Sequence, residues 1–486
     1  MPRPSLNLFA ALMACLAAWV GSAPANAQSA PVALAGQISP GTGGGTYASF
    51  GFVDVNRAGE RLSDVVFSAA VSGGMAPGGL FVVSKTPSLS QQNRAIALVG
   101  DVAPGDPYPF PVTFAEFSGA TIIYGEVAFL ATFDVPGQTG GAGIYLADLN
   151  SGALTLVAKV GGSSPAGGVF QQLGVPSNHC GDVVFAAASG LSELVVTHGI
   201  FRSAGGVVSA VALEGDPAPG FGGAGIFESF GDPNCVYFSS ANRVGFSANV
   251  VAAGSPSISG IFRYAGGTGE LVAAQGDPSP DGVPYGAFSA ESPGASFGKL
   301  GYTDGAGLFL FPENGSSTAG VMARLGQTAP RTGGGTFAAF ARGPALRSTD
   351  IGTSLIAFAE VSGGSAPSGV FEFHRIPGFP LSVSAPAIVG DPAPGTGGGT
   401  WSAFSRPAAA DAFNPYIGED GVIAFSADVS SGTASSGVFI LPEPKTLAAR
   451  LAGAALLALL GARRRRTRVS GFSPPTVRSS PRRPRS

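Results

Sequence analysis

Seven times between Gly79 and Leu441 the chain writes glycine, then a β-branched residue or leucine, then phenylalanine or tyrosine, each time after a strand-like apolar stretch. The copies are Gly79-Leu80-Phe81, Gly143-Ile144-Tyr145, Gly199-Ile200-Phe201, Gly260-Ile261-Phe262, Gly307-Leu308-Phe309, Gly369-Val370-Phe371 and Gly437-Val438-Phe439, separated by 64, 56, 61, 47, 62 and 68 residues. A kept core with uneven spacing marks a repeat whose loops vary. A second marker falls between the copies. It is clearest at Gly390-Asp391-Pro392-Ala393-Pro394-Gly395, followed by Gly397-Gly398-Gly399-Thr400-Trp401, and looser versions open at Gly36, Gly100, Gly161, Gly215, Gly276 and Gly326. Proline removes a ladder donor and glycine admits positive φ, so these are turns between strands.

Each turn precedes an aromatic pair three residues apart, as in Phe114 and Phe117, Phe227 and Phe230, or Phe337 and Phe340. Strict strand alternation does not put residues three apart on one face, so a bulge or turn is expected there. One unit then reads as four short strands: the aromatic pair, a second strand such as Val65 to Val71 or Val422 to Val429, the Gly-aromatic strand, and a fourth such as Ala95 to Val99. In Val422 to Val429, Ile423, Phe425 and Ala427 share one face. The fifth unit is degenerate near Phe297 to Tyr302.

The seventh unit lacks its fourth strand, because the chain runs from Leu441 straight into Pro442. The missing piece stands at the other end, where Pro31 to Ala35 resembles Pro386 to Val389 and precedes the first turn. A strand borrowed from the N-terminus closes a β-propeller and protects its edges. The expected fold is therefore all-β, a seven-bladed β-propeller over residues 28 to 441, with a β-solenoid or tandem β-sandwiches as alternatives. Cys180 and Cys235 lie between the first and second strands of neighbouring units. They are candidates for a disulfide, or two small buried side chains.

Residues 1 to 27 join a basic start at Arg3, an apolar run from Leu6 to Val20 and the pattern Ala25-Asn26-Ala27. This is the form of a secretory signal peptide, to be removed by signal peptidase. At the other end Pro442-Glu443-Pro444 precedes an apolar stretch from Thr446 to Ala462 and the cluster Arg463, Arg464, Arg465, Arg466 and Arg468. A helix of that length just reaches across a bilayer, and the arginines favour the cytoplasmic side. The order of elements over 442 to 468 resembles the PEP-CTERM sorting signal. The resemblance implies an exosortase-type enzyme that cuts near Pro-Glu-Pro, and export to the cell envelope, cell surface or medium. A plain membrane anchor is the alternative. Residues 469 to 486 read as a disordered basic tail.

The units also resemble bacterial surface proteins built from an Asn-x-x-Gly-x-x-x-Ala-Phe repeat, as at Gly421-Val422-Ile423-Ala424-Phe425, Gly125-Glu126-Val127-Ala128-Phe129 and the opening Asn56 and Gly59. That likeness implies export and repetition, and no activity.

Charge divides the chain. Residues 28 to 441 hold 15 basic and 29 acidic residues, net −14, while the two ends carry +11. So acidic a body repels phosphate backbones, and nucleic acid is excluded as a partner. The histidines His179, His198 and His374 read as scattered over different units, with no metal spacing and no Gly-x-Ser-x-Gly elbow beside them. Glu116, Glu228 and Glu291 stand at similar places near the first-strand aromatics, where paired carboxylates would serve glycoside hydrolysis, but shared ancestry explains the similarity more simply. Asp101, Asp216, Asp277 and Asp391 of the turns each offer one carboxylate, too few for calcium, and suit side-chain capping of a turn. The glycine triplets lack the Lys-Ser/Thr of a phosphate loop. No catalytic, metal or cofactor set is expected. The residues point to an exported scaffold or binding module that contacts polysaccharide or protein, with a secreted carbohydrate-active enzyme and a membrane-anchored structural protein as alternatives.

Overall fold

The computed structural model describes residues 29–441 apart from 57–63, 85–91, 106–110, 135–140, 180, 193–194, 237–242, 253, 289–292, 297, 313–319, 341–342, 350–351, 405–415 and 419–420. The signal peptide, Cys180, Glu291, the sorting motif Pro442, Glu443 and Pro444, the arginines 463–466 and the basic tail lie outside the described residues. The chain divides into a unit ending at Pro442 and a second, Glu443–Ser486.

Strand pairing gives seven separate antiparallel sheets of four or five strands. Six are built from consecutive strands. Blade 1, for instance, holds Thr46–Val55, Val65–Ser72, Gly78–Ser84 and Gln92–Leu98. The seventh holds Thr400–Phe404, Ile423–Ser430 and Ser436–Leu441, and its fourth strand is Ala30–Leu34 from the other end of the chain. The borrowed strand pairs Pro31 with Phe439 and Ala33 with Val438, skipping Val32. Blade 1 pairs Ala95 with Phe81 and Ala97 with Leu80, skipping Ile96 in the same way. The N-terminal segment is thus a true fourth strand, and the architecture is a seven-bladed β-propeller closed by its N-terminus.

Closure also shows in the core. The apolar interior is seven clusters, each shared by two neighbouring blades. One joins Val32, Val438 and Ile440 of blade 7 to Tyr47, Phe67 and Phe81 of blade 1, which completes the ring. Because every blade is covered on both faces, the second strands are buried on both sides over most of their length and turn exposed only towards their ends. Ile423 and Phe425 enter the cluster shared with blade 6, while Ala424 between them enters the one shared with blade 1.

Three rings fill the heart of a blade. Phe67 and Phe81 pair across strands and stack at 5.8 Å, with Tyr47 edge-on to Phe81 at 5.1 Å. The same trio recurs as Phe246, Phe262 and Phe227, and as Tyr302, Phe309 and Tyr285. The recurring glycine follows from this stacking. A Cβ on Gly79 would stand 3.0 Å from the Phe81 ring and 2.6 Å from Leu98, and one on Gly437 would stand 2.9 Å from the Phe439 ring. The ring two residues on lies over the glycine Cα, so no side chain fits beneath it.

Burial pushes the phenol of Tyr47 up to about 12, against a weaker lowering by its hydrogen bond with Asn93. Burial also raises Tyr264, Tyr285 and Tyr302, the last well above its ordinary range. Phenols that ionise less readily folded than unfolded contribute stability that is whole below pH 10 and drains as pH climbs through the raised values. Thermal midpoints followed by circular dichroism are therefore expected to hold up to about pH 10 and to fall steeply between about 10 and 12. A midpoint flat across that window would contradict the burial of these rings.

Blade 5 departs from the pattern. Its first strand is short, Gly294–Ser296, and the aromatic pair Tyr285 and Phe288 precedes it. Where Leu98 covers Phe81 in blade 1, Arg324 lies over Phe309, 4.8 Å from the ring centre. Arg324 is held by Asp281 at 2.6 Å and by Ser279 Oγ at 2.7 Å. Its hydrogen bond holds the Asp281 carboxyl well below the usual carboxylate range. Behind it the buried Asp304 accepts backbone N–H groups from Gly307 at 2.7 Å, Ala306 at 2.9 Å and Gly286 at 3.0 Å.

Candidate functional site

The bulge expected from the aromatic spacing is present in six first strands. Register skips one residue between Phe114 and Glu116, between Phe227 and Ser229, between Phe337 and Ala339, and likewise in blades 1, 3 and 7. The extra residue brings both rings of the pair to the core side and leaves a two-residue window between them. The windows are Ala48-Ser49, Ala115-Glu116, Gln171-Gln172, Glu228-Ser229, Ala338-Ala339 and Ser402-Ala403, all partly or fully exposed.

Beyond the bulge the inner segments bond from blade to blade. Asp54 Oδ2 of blade 1 accepts Ile122 N of blade 2 at 2.9 Å. Thr121 donates to Asn178 of blade 3 at 2.8 Å, Ser177 to Asn234 of blade 4 at 2.8 Å, and Asn234 to the Pro293 carbonyl at 3.2 Å. Extra short strands carry several of these residues, Ser177–His179, Asn234–Val236, Ala345–Thr349 and Tyr416–Ile417. The sequence reading allowed four strands per unit and missed them. In these blades the short strand that follows the aromatic pair in sequence pairs with the same second strand.

A cavity of about 920 Å³ lies against the inner edges of blades 6, 7, 1 and 2. Its walls carry the rings of Phe50, Phe117, Phe358 and Phe404, and three carboxylates, Glu116, Glu360 and Asp428, each from a different blade. All three are exposed. Glu360 pairs in register with Ala339 and Asp428 with Ala403, so both stand beside a first-strand window. Ser68, Ser118, Ser368 and Ser402 add hydroxyls, and among the described residues no lysine, arginine or histidine lines the space. Phe358 meets Phe404 across the blade boundary at 5.9 Å, edge to face. Glu360 and Asp428 escaped the sequence reading because both close a second strand, away from any turn or aromatic marker.

Glu116 and Glu228, the two described among the carboxylates singled out in the sequence, do not converge. Glu116 is the second residue of its window and lines the cavity, whereas Glu228 is the first residue of its own window, two blades on, and does not. Their positions are therefore not equivalent, which corrects the reading that they stand at similar places in their units. The histidines need a correction too. His179 and His198 share blade 3 rather than lying in different units. His179 pairs with Asp182 and His198 with Ala188, six residues apart along the second strand, or about 20 Å.

In blade 6 the buried Ser354 Oγ lies 2.7 Å from His374 Nδ1 and 2.9 Å from Glu372 Oε1. Here the serine sits between acid and histidine. A nucleophilic triad needs the histidine in the middle, and a serine open to substrate. Ser354 is 2% exposed, so the trio belongs to the blade interior.

The turn aspartates act as expected of a cap. Asp101 Oδ2 accepts Leu98 N at 2.9 Å, Asp216 Oδ2 accepts Leu213 N at 2.8 Å and Asp391 Oδ2 accepts Ile388 N at 3.0 Å. The glycine triplets pack backbone on backbone. A Cβ on Gly45 would stand 2.9 Å from Gly74 Cα, and one on Gly335 2.9 Å from Gly364 Cα. Among the described residues no group of three or more His, Cys, Asp or Glu is placed to hold a metal ion. Cys235 is buried on its inner strand with Sγ 3.5 Å from the Ser177 carbonyl of blade 3, three residues before Cys180.

Residues 17–193 and 177–296 match the model of a family of unknown function, DUF7453. No curated protein matches the chain. Among solved structures it is similar to the β-propeller domain of the Trilobed protease from Pyrococcus furiosus, at 10% identity and TM-score 0.39, over 81% of this chain and 95% of that one. It is also similar to Trypanosoma rangeli sialidase, at 10% identity and TM-score 0.38, over 86% and 60%. A third is the GH93 α-L-arabinofuranosidase of Fusarium graminearum, at 9% identity and TM-score 0.36, over 74% and 98%. Likeness at this level carries nothing about chemistry.

Proposed function

Because the chain belongs to this family of unknown function, membership brings no activity with it, and we propose from its own residues that it is a noncatalytic exported binding module. Its cavity receives a hydroxyl-rich chain, an extracellular polysaccharide. Export and sorting to the cell envelope rest on the signal-peptide pattern at 1 to 27 and the Pro-Glu-Pro, apolar and arginine order at 442 to 468. Signal peptidase and an exosortase-type enzyme are the processing partners of that reading, and the C-terminal apolar stretch holds the chain at the membrane at least until sorting.

The observation that carries the binding role is the cavity lining. Half-buried Phe50, with the buried Phe117, Phe358 and Phe404 beneath the wall, gives the space an apolar side for the C–H faces of a sugar, while carboxylates and serines supply acceptors and donors for its hydroxyls. Carboxylates accept and never donate when ionised, and the body of the chain, net −14 over residues 28 to 441, repels an anionic polymer. Neutral or amine-bearing glycans are favoured over uronate-rich ones.

Hydrolysis is the second reading, favoured by the presence of three carboxylates around one space. It requires one carboxyl kept as an acid by an apolar enclosure, and here all three stand in water. The test is affinity electrophoresis against neutral and uronate-rich polysaccharides, with reducing-end release assayed in parallel. Joint replacement Glu116→Gln and Asp428→Asn is expected to weaken neutral-glycan binding about tenfold, because both amides keep an acceptor oxygen but lose the charge that strengthens its hydrogen bond. Glu228→Gln, away from the cavity, is expected to leave binding unchanged. Retarded migration without sugar release supports the module. Release abolished by Glu116→Gln establishes the enzyme instead.

A further inference from the structure

The fourth strand of every blade is the outer edge of its sheet, with no further strand beside it among the described residues. Such an edge offers a row of N–H and C=O groups to any passing strand, and bulges, charges and prolines deter the pairing. All seven edges are bulged. Six carry a charge or a proline as well: Arg94 in blade 1, Lys159 in blade 2, Glu270 in blade 4, Arg324 in blade 5, Pro386 in blade 6 and Pro31 in blade 7. Blade 3 breaks the rule. Its fourth strand, Val207–Leu213, reads Val-Val-Ser-Ala-Val-Ala-Leu, and Val207 at its start is 70% exposed.

The bulge of this strand is Val211, skipped between Ala210 and Ala212, so Val207 to Ala210 run as regular strand. Gly205 and Gly206, both at positive φ, make a two-residue turn that closes on the pair Ala204 and Val207. Bonded and unbonded pairs alternate from there, which turns the backbone N–H and C=O of Val208 and Ala210 away from the blade. Val207, Ser209 and Ala210 are exposed and Val208 is half-buried.

We infer that this edge pairs with the same edge of a second copy of the chain, antiparallel and centred on Ser209. In that register Val208 of each copy exchanges its backbone hydrogen bonds with Ala210 of the other, and the two Ser209 residues face each other as an unbonded pair. The symmetry is two-fold, so one strand supplies both halves of the contact. Charge points to a copy as the occupant. The body of the chain is net −14 over residues 28 to 441 and repels itself, and on this strip an identical chain approaches with no like charge opposite it. So short a strip buries less than the roughly 1,200 Å² of a stable interface, and the pair is weak, forming where the chain is concentrated. Antiparallel pairing reverses the strands, and the cavity stands at one end of them, where Glu360 pairs with Ser368 at the start of a third strand. The dimer thus turns its cavities to opposite sides. On the polysaccharide reading proposed above, it joins two polymer chains rather than gripping one twice.

Disulfide trapping of the full-length chain in dodecyl maltoside tests this. Ser209→Cys sets two thiols opposite each other at the two-fold axis, about 4.5 Å apart between Cα atoms and within bonding reach. Thr155→Cys, exposed on the lysine-bearing fourth strand of blade 2, Leu154–Lys159, is the matched control. The unsubstituted chain reports what Cys15, Cys180 and Cys235 contribute. After oxidation with copper phenanthroline, Ser209→Cys is expected to give at least about fivefold more covalent dimer than Thr155→Cys on a non-reducing gel. Adding Ala210→Pro, which removes an outward N–H, is expected to return the yield to that of the control. Equal yields from positions 209 and 155 overturn the pairing, and so does a dimer that survives Ala210→Pro. Trapping intact in a chain that binds no polysaccharide strikes the polymer-joining consequence and leaves the pairing standing.

Discussion

Deleting residues 30–34 is expected to open the ring and remove most of the stability of the folded chain. Val32, Ala33 and Leu34 are 4%, 0% and 5% exposed. Returning one valine and one leucine to water costs about 3–6 kcal/mol, against a total of roughly 5–15 kcal/mol for a typical domain. The deletion also bares the edge of Ser436–Leu441, six buried residues whose backbone then seeks another partner. Urea unfolding followed by intrinsic fluorescence should show a midpoint lowered by more than 1 M, given slopes of roughly 1–3 kcal/mol per molar. Size-exclusion chromatography should show self-association. A synthetic peptide of residues 29–36 added in trans should reverse both effects, because the register of the borrowed strand is that of an ordinary fourth strand. An unchanged midpoint in the deletion would show that the ring does not depend on its latch.

Asp304→Ala is expected to be the most damaging single substitution in blade 5. The carboxylate accepts three backbone N–H groups, and its side chain is 0% exposed. Each buried donor left without an acceptor costs about 1–3 kcal/mol, so about 3–5 kcal/mol is at stake after relaxation. Asp304→Asn keeps one carbonyl oxygen and is expected to cost about half as much. Hydrogen exchange of Gly286, Ala306 and Gly307 reads the effect locally, and denaturant titration reads it globally. Protection at those amides equal to that of the unaltered chain would refute the role given to Asp304.

The blades were legible because their cores repeat. Gly-x-aromatic survives in all seven units since the ring of Phe81, or its equivalent, leaves no room for a Cβ beneath it. The closing strand was legible because Pro31 to Ala35 matches its counterparts and blade 7 otherwise ends one strand short. Even the bulge followed from three-residue spacing between rings. The cavity was not legible. Glu360 and Asp428 come beside Glu116 only after blades separated by hundreds of residues close into a circle, and no local pattern encodes that meeting. The inner latches such as Thr121 with Asn178 were hidden for the same reason, since each is a small polar residue that looks like loop until its neighbour blade is in place. The pairing of the histidines with units failed for a simpler cause, that His179 and His198 belong to one blade with a long second strand between them.

Within four residues of chain each bulge divides labour between two packed side chains and the two residues set between them. Tyr47 and Phe50, or Trp401 and Phe404, hold the blade, while Ala48-Ser49 and Ser402-Ala403 face water and already differ from blade to blade. Substitution at Glu116, Ala338, Ser402 or Ala403, the window residues that line the cavity, changes its wall without entering any of the seven apolar clusters. The cavity wall can therefore drift at constant stability, and an engineer can vary those four positions as a combinatorial palette on an unaltered frame.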